Sequence, residues 1–406
     1  MVCGATFGGE ISVLTSHTND GKIIHPQGAG VRKGTVEQFF AITPPGLETV
    51  CAEELRALDL PGIKTQHGGV EFAGGLRELY LAHLWIRSAS RIVVRLGSFR
   101  CRDFPDLFRL CVRLPWGRFV KPDQPLRVRA SSRASRLQHT GRLAETVEAA
   151  IKRALGGQGG GLSSDEQALI LIRLEDDHCT LSIDASGPLL HRRGYREEGG
   201  VAPLRENLAA GILLHLGWCG NEGLFDPLCG SGTFALEAAL LAARIPSGAR
   251  RNFAFMAWPG YRHGLWTQLC REAGKKRQTT LPLVVGSDIA AEAITAARRN
   301  AVRAEVDEML ELDVAALAET PSRAGPGLLI CNPPYGERIG KAQGLLSLYR
   351  QLGGLCREKY DTWRWAVLTP DDDLIHATGL PLRRTLDLSN GGIRVGLYVG
   401  QGEKYL

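Results

Sequence analysis

Residues 224–241, LFDPLCGSGTFALEAALL, constrain the fold more than any other stretch of the chain. Leu224 and Phe225 read as the end of a buried strand that Asp226-Pro227 terminates. Gly230-Ser231-Gly232-Thr233 then permits a tight bend before the helix-forming run 235–243. Amides at a helix start attract anionic or polar groups, and glycines let a ligand approach the main chain, so this turn is a cofactor cradle. Three cofactors compete for it. An ATP-type phosphate loop needs Gly-Lys-Ser/Thr after a longer spacer, and no lysine is present here. The run from Gly230 to Ala235 fits the G-x-G-x-x-A of dinucleotide folds, but such folds want an acid about 20 residues on, and none stands there. S-adenosylmethionine is the third candidate; Asp226 and Ser231 favour it, since a plain glycine turn would not require them.

At 406 residues the chain is expected to fold as two or three domains, each able to bury a core. With 44% hydrophobic and 23% charged residues, no apolar run of membrane-span length and no charged-then-apolar leader, it reads as a globular cytoplasmic protein. Ten cysteines without a Cys-x-x-Cys pair or a Cys/His rhythm indicate neither a metal site nor a disulfide framework. Cys229 and Cys331 read as small buried thiols. The net charge of +6 is mild, but residues 86–153 hold 16 Lys/Arg against 5 Asp/Glu. That local excess suits an RNA or DNA contact surface.

Residues 1–36, glycine-rich and without periodicity, are expected to be a flexible extension. Strand, helix, strand, helix, strand then follow over 38–42, 47–58, 70–72, 76–84 and 91–96. A second unit has a helix near 104–114, a strand at 126–130, a helix at 140–155 and a hairpin of 168–174 with 180–184. The loop at 132–142 carries Arg133, Arg136, His139 and Arg142 among serines, a set of phosphate ligands with no packed core. His191-Arg192-Arg193-Gly194-Tyr195-Arg196 marks the passage into the catalytic part. After the cradle come a partly irregular insertion over 245–280 and strands at 283–288, 308–312, 328–331 and 365–369. A helix over 290–301 follows the first of these, and a hairpin joined through Asn390-Gly391 closes the chain. Strand and helix alternate, which predicts a doubly wound parallel sheet.

In such a sheet ligands gather at the carboxyl ends of the strands, where Asp226, Asp288, Asp313 and Asn332 all fall. If the ligand is S-adenosylmethionine, Asp288 can accept from both ribose hydroxyls, Asp313 from the adenine amine, and the loop from Asp226 to Thr233 can hold the methionine end. Asn332-Pro333-Pro334-Tyr335 is the most specific signal. The prolines stiffen the backbone so that the Asn332 side-chain oxygen and the Pro333 carbonyl can accept both hydrogens of an exocyclic amine, and Tyr335 can stack on an unstacked base. Transfer to that amine needs positioning rather than a covalent intermediate, so no catalytic cysteine is expected.

Leu190–Arg196, APLRENLAA from Ala202, DPLCGSGT from Asp226, SDI from Ser287 and NPPYGERIG from Asn332 resemble the THUMP-containing bacterial RNA guanine-N2 methyltransferases of the RlmL type. FFAITPPGLETVCAEEL from Phe39 resembles that family's opening segment. The resemblance implies an α/β fold: a Rossmann-like seven-stranded methyltransferase domain (188–406) behind a ferredoxin-like region (37–97) and a THUMP RNA-binding domain (98–187). It implies methyl transfer from S-adenosylmethionine to guanine N2 in 23S rRNA, with tRNA as the alternative substrate and a non-catalytic RNA-binding assembly factor as the alternative of another class. The implied cofactor residues are Asp226, Pro227, Gly230, Ser231, Gly232, Thr233, Asp288, Ile289, Asp313 and Asn332, and the implied catalytic residues are Asn332, Pro333, Pro334 and Tyr335. The candidate RNA contacts are Arg133, Arg136, His139, Arg142, Arg192, Arg193 and Tyr195. Two departures stand out: some relatives carry a second methylase domain beyond this point, and Ala290 replaces a frequent acid after SDI.

Overall fold

A computed structural model of the chain describes residues 36–156, 167–196, 204–335 and 342–402. The expected extension therefore lies almost wholly outside the described residues, as do Ala202, Pro203 and residues 336–340 of the NPPY segment.

The N-terminal half is built on one sheet. Its elements run β1 (Glu37–Ile42), α1 (Glu48–Ala57), β2 (Lys64–Gln66), β3 (Gly69–Gly74), α2 (Leu76–Trp85), β4 (Arg91–Arg100), α3 (Phe104–Val112), β5 (Leu126–Arg133), α4 (Thr140–Leu155), β6 (Ala168–Glu175) and β7 (His178–Asp184). The strand order is β2-β3-β1-β4-β7-β6-β5. The expected boundary at 97/98 falls inside β4, which pairs with β1 along one edge and with β7 along the other. Alternate strand residues such as Phe39, Val94, Ile172 and Leu181 meet the helices in a single core.

The C-terminal half carries the second sheet. It comprises α5 (Glu206–His215), β8 (Gly223–Asp226), α6 (Thr233–Ala242), α7 (His263–Gly274), β9 (Val284–Asp288), α8 (Ala291–Ala304), β10 (Glu311–Val314), β11 (Gly327–Cys331), α9 (Ala342–Lys359), β12 (Arg364–Thr369), α10 (Asp372–Thr378), β13 (Arg383–Asn390) and β14 (Ile393–Gln401). The order β10-β9-β8-β11-β12-β14-β13 is parallel through β12, with β14 antiparallel beside it. Consecutive strands run outward in both directions from the β8–β11 pair, which makes that pair the topological switch point.

Two helices absent from the sequence reading have clear physical origins. Helix α9 buries Leu345, Tyr349, Leu352 and Cys356 at helical spacing, but Gly353-Gly354 interrupts the pattern. A Cβ on Gly353 would lie 1.8 Å from the Thr378 carbonyl, so α9 can pack on α10 only without a side chain there. Helix α7 lies in the insertion, and its Trp266 joins Phe253, Phe255 and Tyr80 and His83 of α2 in an aromatic nest. Burial holds the His83 imidazole down to about 3, so it is neutral; its ring nitrogens meet the Leu79 carbonyl and the Ser186 hydroxyl.

A buried ionic cluster ties the halves together. Glu237 of α6 is fully buried and accepts from the Tyr195 hydroxyl at 2.9 Å. Arg193 approaches it at 3.5 Å and Arg87 at 3.9 Å, the latter an ionic contact too long for a hydrogen bond. The Arg193 guanidinium also donates to the Arg87 and Leu190 carbonyls. Two expected RNA contacts are corrected here: Arg193 (4% exposed) and Tyr195 (1%) are spent on this cluster and face no solvent, whereas Arg192 is exposed. Removing one member of a buried ion cluster leaves uncompensated charge and costs about 3–5 kcal/mol. Glu237→Ala is thus expected to lower the unfolding free energy by about that amount in urea titrations. A loss below about 0.5 kcal/mol, the range of an ordinary surface change, would remove the cluster as the joint.

Candidate active site

The carboxyl ends of β8, β9 and β11 converge at the switch point, and the sequence there explains the shape. Gly232 has φ +83°, and a Cβ on it would lie 2.7 Å from Leu236 and 3.1 Å from Ala297, so its absent side chain lets α6 and α8 pack. Gly230, at φ +52°, differs: nothing stands within 4 Å of where its Cβ would be, so the turn presents bare backbone to open space. Asn300, fully buried on α8, donates to the Ser231 carbonyl at 3.3 Å and fixes the turn from behind.

Asp288 braces the same loop. Its carboxylate accepts from the Gly230 amide and the Ala290 amide, each at 2.9 Å, joining the turn after β8 to the start of α8. One bond per oxygen leaves each with acceptor capacity for a ligand hydroxyl. Asp226, 2% exposed, accepts from the Leu228 amide at 3.2 Å. Burial pushes its carboxyl well above the usual range, the Leu228 amide opposing it and the Asp288 charge adding a smaller upward push. Asp313 is not strand-terminal as expected: β10 runs one residue further, to Val314, which pairs with Asp288. Asp313 is exposed, and Ile289 (72%) and Val314 present apolar surface on either side of Asp288. The Thr233 hydroxyl accepts from Arg196 at 2.6 Å, so it is engaged within the protein.

Across the switch point, β11 ends at Cys331 and hands on to Asn332. The Asn332 Oδ1 is buried without a hydrogen-bond partner, as is the Ser287 hydroxyl on β9. An unmet buried acceptor costs about 1–3 kcal/mol, which a protein tolerates where a ligand will supply the donor. Bare backbone at Gly230, a carboxylate pair at Asp226 and Asp288, and an orphaned amide oxygen together fit a ligand that is cationic at one end and bears hydroxyls at the other. Pro333 is buried and Pro334 half-buried.

Tyr335 departs from expectation. With 2% of its surface exposed it packs beside Leu328, Ile330 and Leu397, and its hydroxyl accepts from the Asn390 amide at 2.9 Å. Its ring anchors the end of the motif and offers no open face to a base. Burial raises the thiols of Cys229 and Cys331 well above the ordinary cysteine value, so neither is a ready nucleophile. Among the described residues no group of three His, Cys, Asp or Glu side chains could hold a metal ion.

The expected RNA loop is placed on the surface. Arg133, with 85% of its side chain exposed, stands 3.9 Å from Glu175; the Arg136 guanidinium lies 3.7 Å from Asp177, and Arg142 covers the Phe104 ring at 4.1 Å. His139 precedes α4 and is exposed. Sequence reasoning missed Asn300, Arg196 and Asn390, each of which acts on the site through another residue. Asn390 carried a signal as the first residue of the expected Asn-Gly turn and Arg196 as the last of the string from His191, whereas Asn300 carried none.

Comparisons with known proteins agree with this geometry. Residues 193–395 match the model of an RMKL-like methyltransferase domain, residues 38–93 an RlmL ferredoxin-like domain and residues 101–184 a THUMP domain. The chain is 36% identical to the "Ribosomal RNA large subunit methyltransferase K/L" of Methylococcus capsulatus over 89% of this chain and 50% of that protein. It thus spans about half the length of the first curated relatives it matches. It is 33% identical to the "Putative RNA methyltransferase slr0064" of Synechocystis sp., covering 88% of this chain and 95% of that one. Among solved structures, SMU.472, "a putative methyltransferase complexed with SAH", superposes with a TM-score of 0.84 at 31% identity, covering 93% of this chain and all of that one. A cradle at the switch point and matches across both halves lead to one conclusion: the chain belongs to the RMKL-like methyltransferase family, with an RlmL ferredoxin-like region and a THUMP domain ahead of the methyltransferase domain.

Proposed function

We propose that this chain is an S-adenosylmethionine-dependent methyltransferase of the cytoplasm, acting on the exocyclic N2 amine of a guanine in 23S rRNA. Residues 37–187 would dock the RNA and residues 188–406 carry the chemistry. The observation that supports it most is the orphaned Asn332 oxygen beside a glycine turn open to a ligand. The K/L relatives, named for the ribosomal large subunit, favour rRNA over tRNA.

S-adenosylmethionine supplies a methyl group on a sulfonium, an electrophile that needs no covalent enzyme intermediate. Asp288 would hold ribose hydroxyls, Asp226 would face the cationic end, and the Gly230–Ser231–Gly232 backbone would line the contact. The lone pair of a nucleobase amine is delocalised into the ring, and the amine is a poor nucleophile for that reason. Asn332 Oδ1 and the Pro333 carbonyl, accepting its two hydrogens, would turn the lone pair outward and stabilise the positive charge that grows on nitrogen. Pro333 and Pro334 limit backbone motion, and the Tyr335–Asn390 hydrogen bond pins the far end of the motif.

Incubation of the protein with labelled cofactor and unmodified 23S rRNA should yield N2-methylguanosine on nucleoside mass spectrometry. Label on adenine N6, on tRNA alone or on DNA alone would reject the substrate. Asn332→Ala is expected to cut turnover by roughly 10²–10³ while calorimetry gives an unchanged cofactor Kd. Joint loss of binding and turnover would reassign the residue.

The raised Asp226 carboxyl sets a pH dependence with a definite sign. A cationic ligand favours the ionised form, so binding lowers this pKa and releases a proton. Affinity should therefore rise with pH from the ordinary carboxylate range up to the free protein's raised value, then level off. Calorimetry in buffers of different ionisation heat measures the proton released, and Asp226→Asn should abolish it. An identical pH profile in that variant would exclude Asp226 from the ligand's cationic end.

A further inference from the structure

Helices α1 to α4 all pack on one face of the N-terminal sheet, and the residues pointing the other way form a basic floor. The pattern is clearest on β5, an edge strand whose exposed residues are Arg127, Arg129, Ser131 and Arg133, while Leu126, Val128 and Ala130 face the helices. In register, Arg129 lies opposite Leu171 and Ser131 opposite Arg173 of β6; Leu171 lies opposite Ser182 and Arg173 opposite Thr180 of β7. Ser182 in turn faces Arg95 of β4. One face of four neighbouring strands therefore carries a band of arginines interleaved with hydroxyls and with Leu169 and Leu171.

Two features separate this band from an ordinary solvated face. Arg127 and Arg129 make no hydrogen bond or ion pair among the described residues, although an edge strand with both charges exposed could have been neutralised by neighbouring acids. The acids that stand here are already engaged: Glu175 meets Arg133 and Arg173, and Glu71 meets Arg95 at 3.7 Å. Arg95 and Arg173 are moreover close enough for the second to disfavour the charge of the first. A band of like charge persists at a cost of self-repulsion, which an anionic partner relieves.

We propose that this helix-free sheet face is a docking platform for double-stranded RNA, contacting the phosphates of a stem, and that it is separate from the loop of Arg136, His139 and Arg142. Charge complementarity selects a polyanion. The choice of a duplex follows from what the face lacks. Sheet surfaces that read single strands do so by stacking bases on exposed aromatic rings. Here Phe40 is the aromatic on this face of β1, and it is buried with the Arg95 guanidinium over its ring at 4.3 Å. Guanidinium and hydroxyl groups without an open ring suit phosphate oxygens and 2′-hydroxyls, which position a helix without reading its bases. The platform rests on the reading of the chain as an RNA enzyme, but not on which base it modifies.

The test uses the full chain with a fluorescent RNA hairpin and a single strand of equal length. The wild type is expected to bind the hairpin more tightly. Arg127→Ala/Arg129→Ala should weaken hairpin binding roughly tenfold and reduce the slope of log affinity against log salt by about 2, one phosphate contact per arginine. Melting temperature and cofactor affinity should match the wild type, because the substitutions lie on an exposed edge far in sequence from the cradle. Wild-type affinity and slope in the double variant, with binding lost only in an Arg136→Ala/Arg142→Ala control, would overturn the platform. Tighter binding of the single strand would overturn the choice of duplex. If the double variant behaves as expected while no N2-methylguanosine forms on rRNA, the platform stands and the substrate assignment falls.

Discussion

The relation between the two halves of this molecule depends on a carboxylate no solvent reaches. Glu237 sits on the helix that starts at the cofactor turn, and its partners Arg87 and Arg193 come from outside that helix, one from the loop between α2 and β4 and one from the connecting segment. Arg87 also donates to the Leu240 and Ile245 carbonyls at the end of α6. Its own amide and that of Ser88 are held by Glu54 of α1. A polar cluster of this kind adds little net stability compared with apolar packing, since desolvating the charges offsets most of their attraction. What it does add is direction. Apolar faces can slide, whereas a guanidinium that bonds to three carbonyl or carboxylate groups has one satisfactory orientation.

The aromatic nest supplies the slack-free packing that the cluster lacks. Tyr80 stacks on Phe255 at 4.6 Å, and the Ser247 hydroxyl donates to the Ile86 carbonyl. Gly248 comes so close to α2 that a Cβ would lie 2.2 Å from the His83 carbonyl. The insertion after α6 is thus a clasp between a methyltransferase sheet and the sheet ahead of it. Domain interfaces within a chain are commonly modest and mobile; this one combines buried ions, a continuous aromatic core and backbone contact.

The sequence disclosed the catalytic half better than the joint, and the reason is locality. Asp226 and Asp288, the glycine turn and Asn332-Pro333-Pro334 are written in short local stretches, and their places at strand ends were legible from the rule that parallel strands present ligands at one end, whereas Asp313 lies one residue inside its strand. The ends of α4, at 140 and 155, were legible because helical period and Gly156 agree. Residues whose role depends on distant partners were not. Arg193 and Tyr195 sit in a basic, aromatic string that reads as an RNA contact, and nothing nearby announces that Glu237, about forty positions on, will draw them inward. Tyr335 is the same case: the motif says base stacking, whereas Asn390 and the apolar side chains around the ring make it a pillar. The continuity of the first sheet through β4 was hidden too, because a strand of ten residues shared by two expected units looks like the end of one and a linker to the next.

A joint built from buried ions and aromatic packing bears on selectivity under the proposed function. If the halves could hinge, RNAs of many shapes could place a guanine at Asn332 while holding the N-terminal sheet. With Arg193 bonded to Glu237 and to the Leu190 and Arg87 carbonyls, the span from the basic sheet face to the orphaned amide oxygen would be set by the protein, and only an RNA whose own fold bridges that span would satisfy both proposed ends. The acceptor pair at Asn332 and Pro333 can test for an amine but says little about its surroundings. Under the proposed function, discrimination among the many guanines of a large RNA would fall to geometry: the stem would lie on arginines that do not read sequence, at a set distance from a base unstacked enough to enter. Phosphate contacts of low specificity, held at a set distance from the cradle, would thereby act as a ruler.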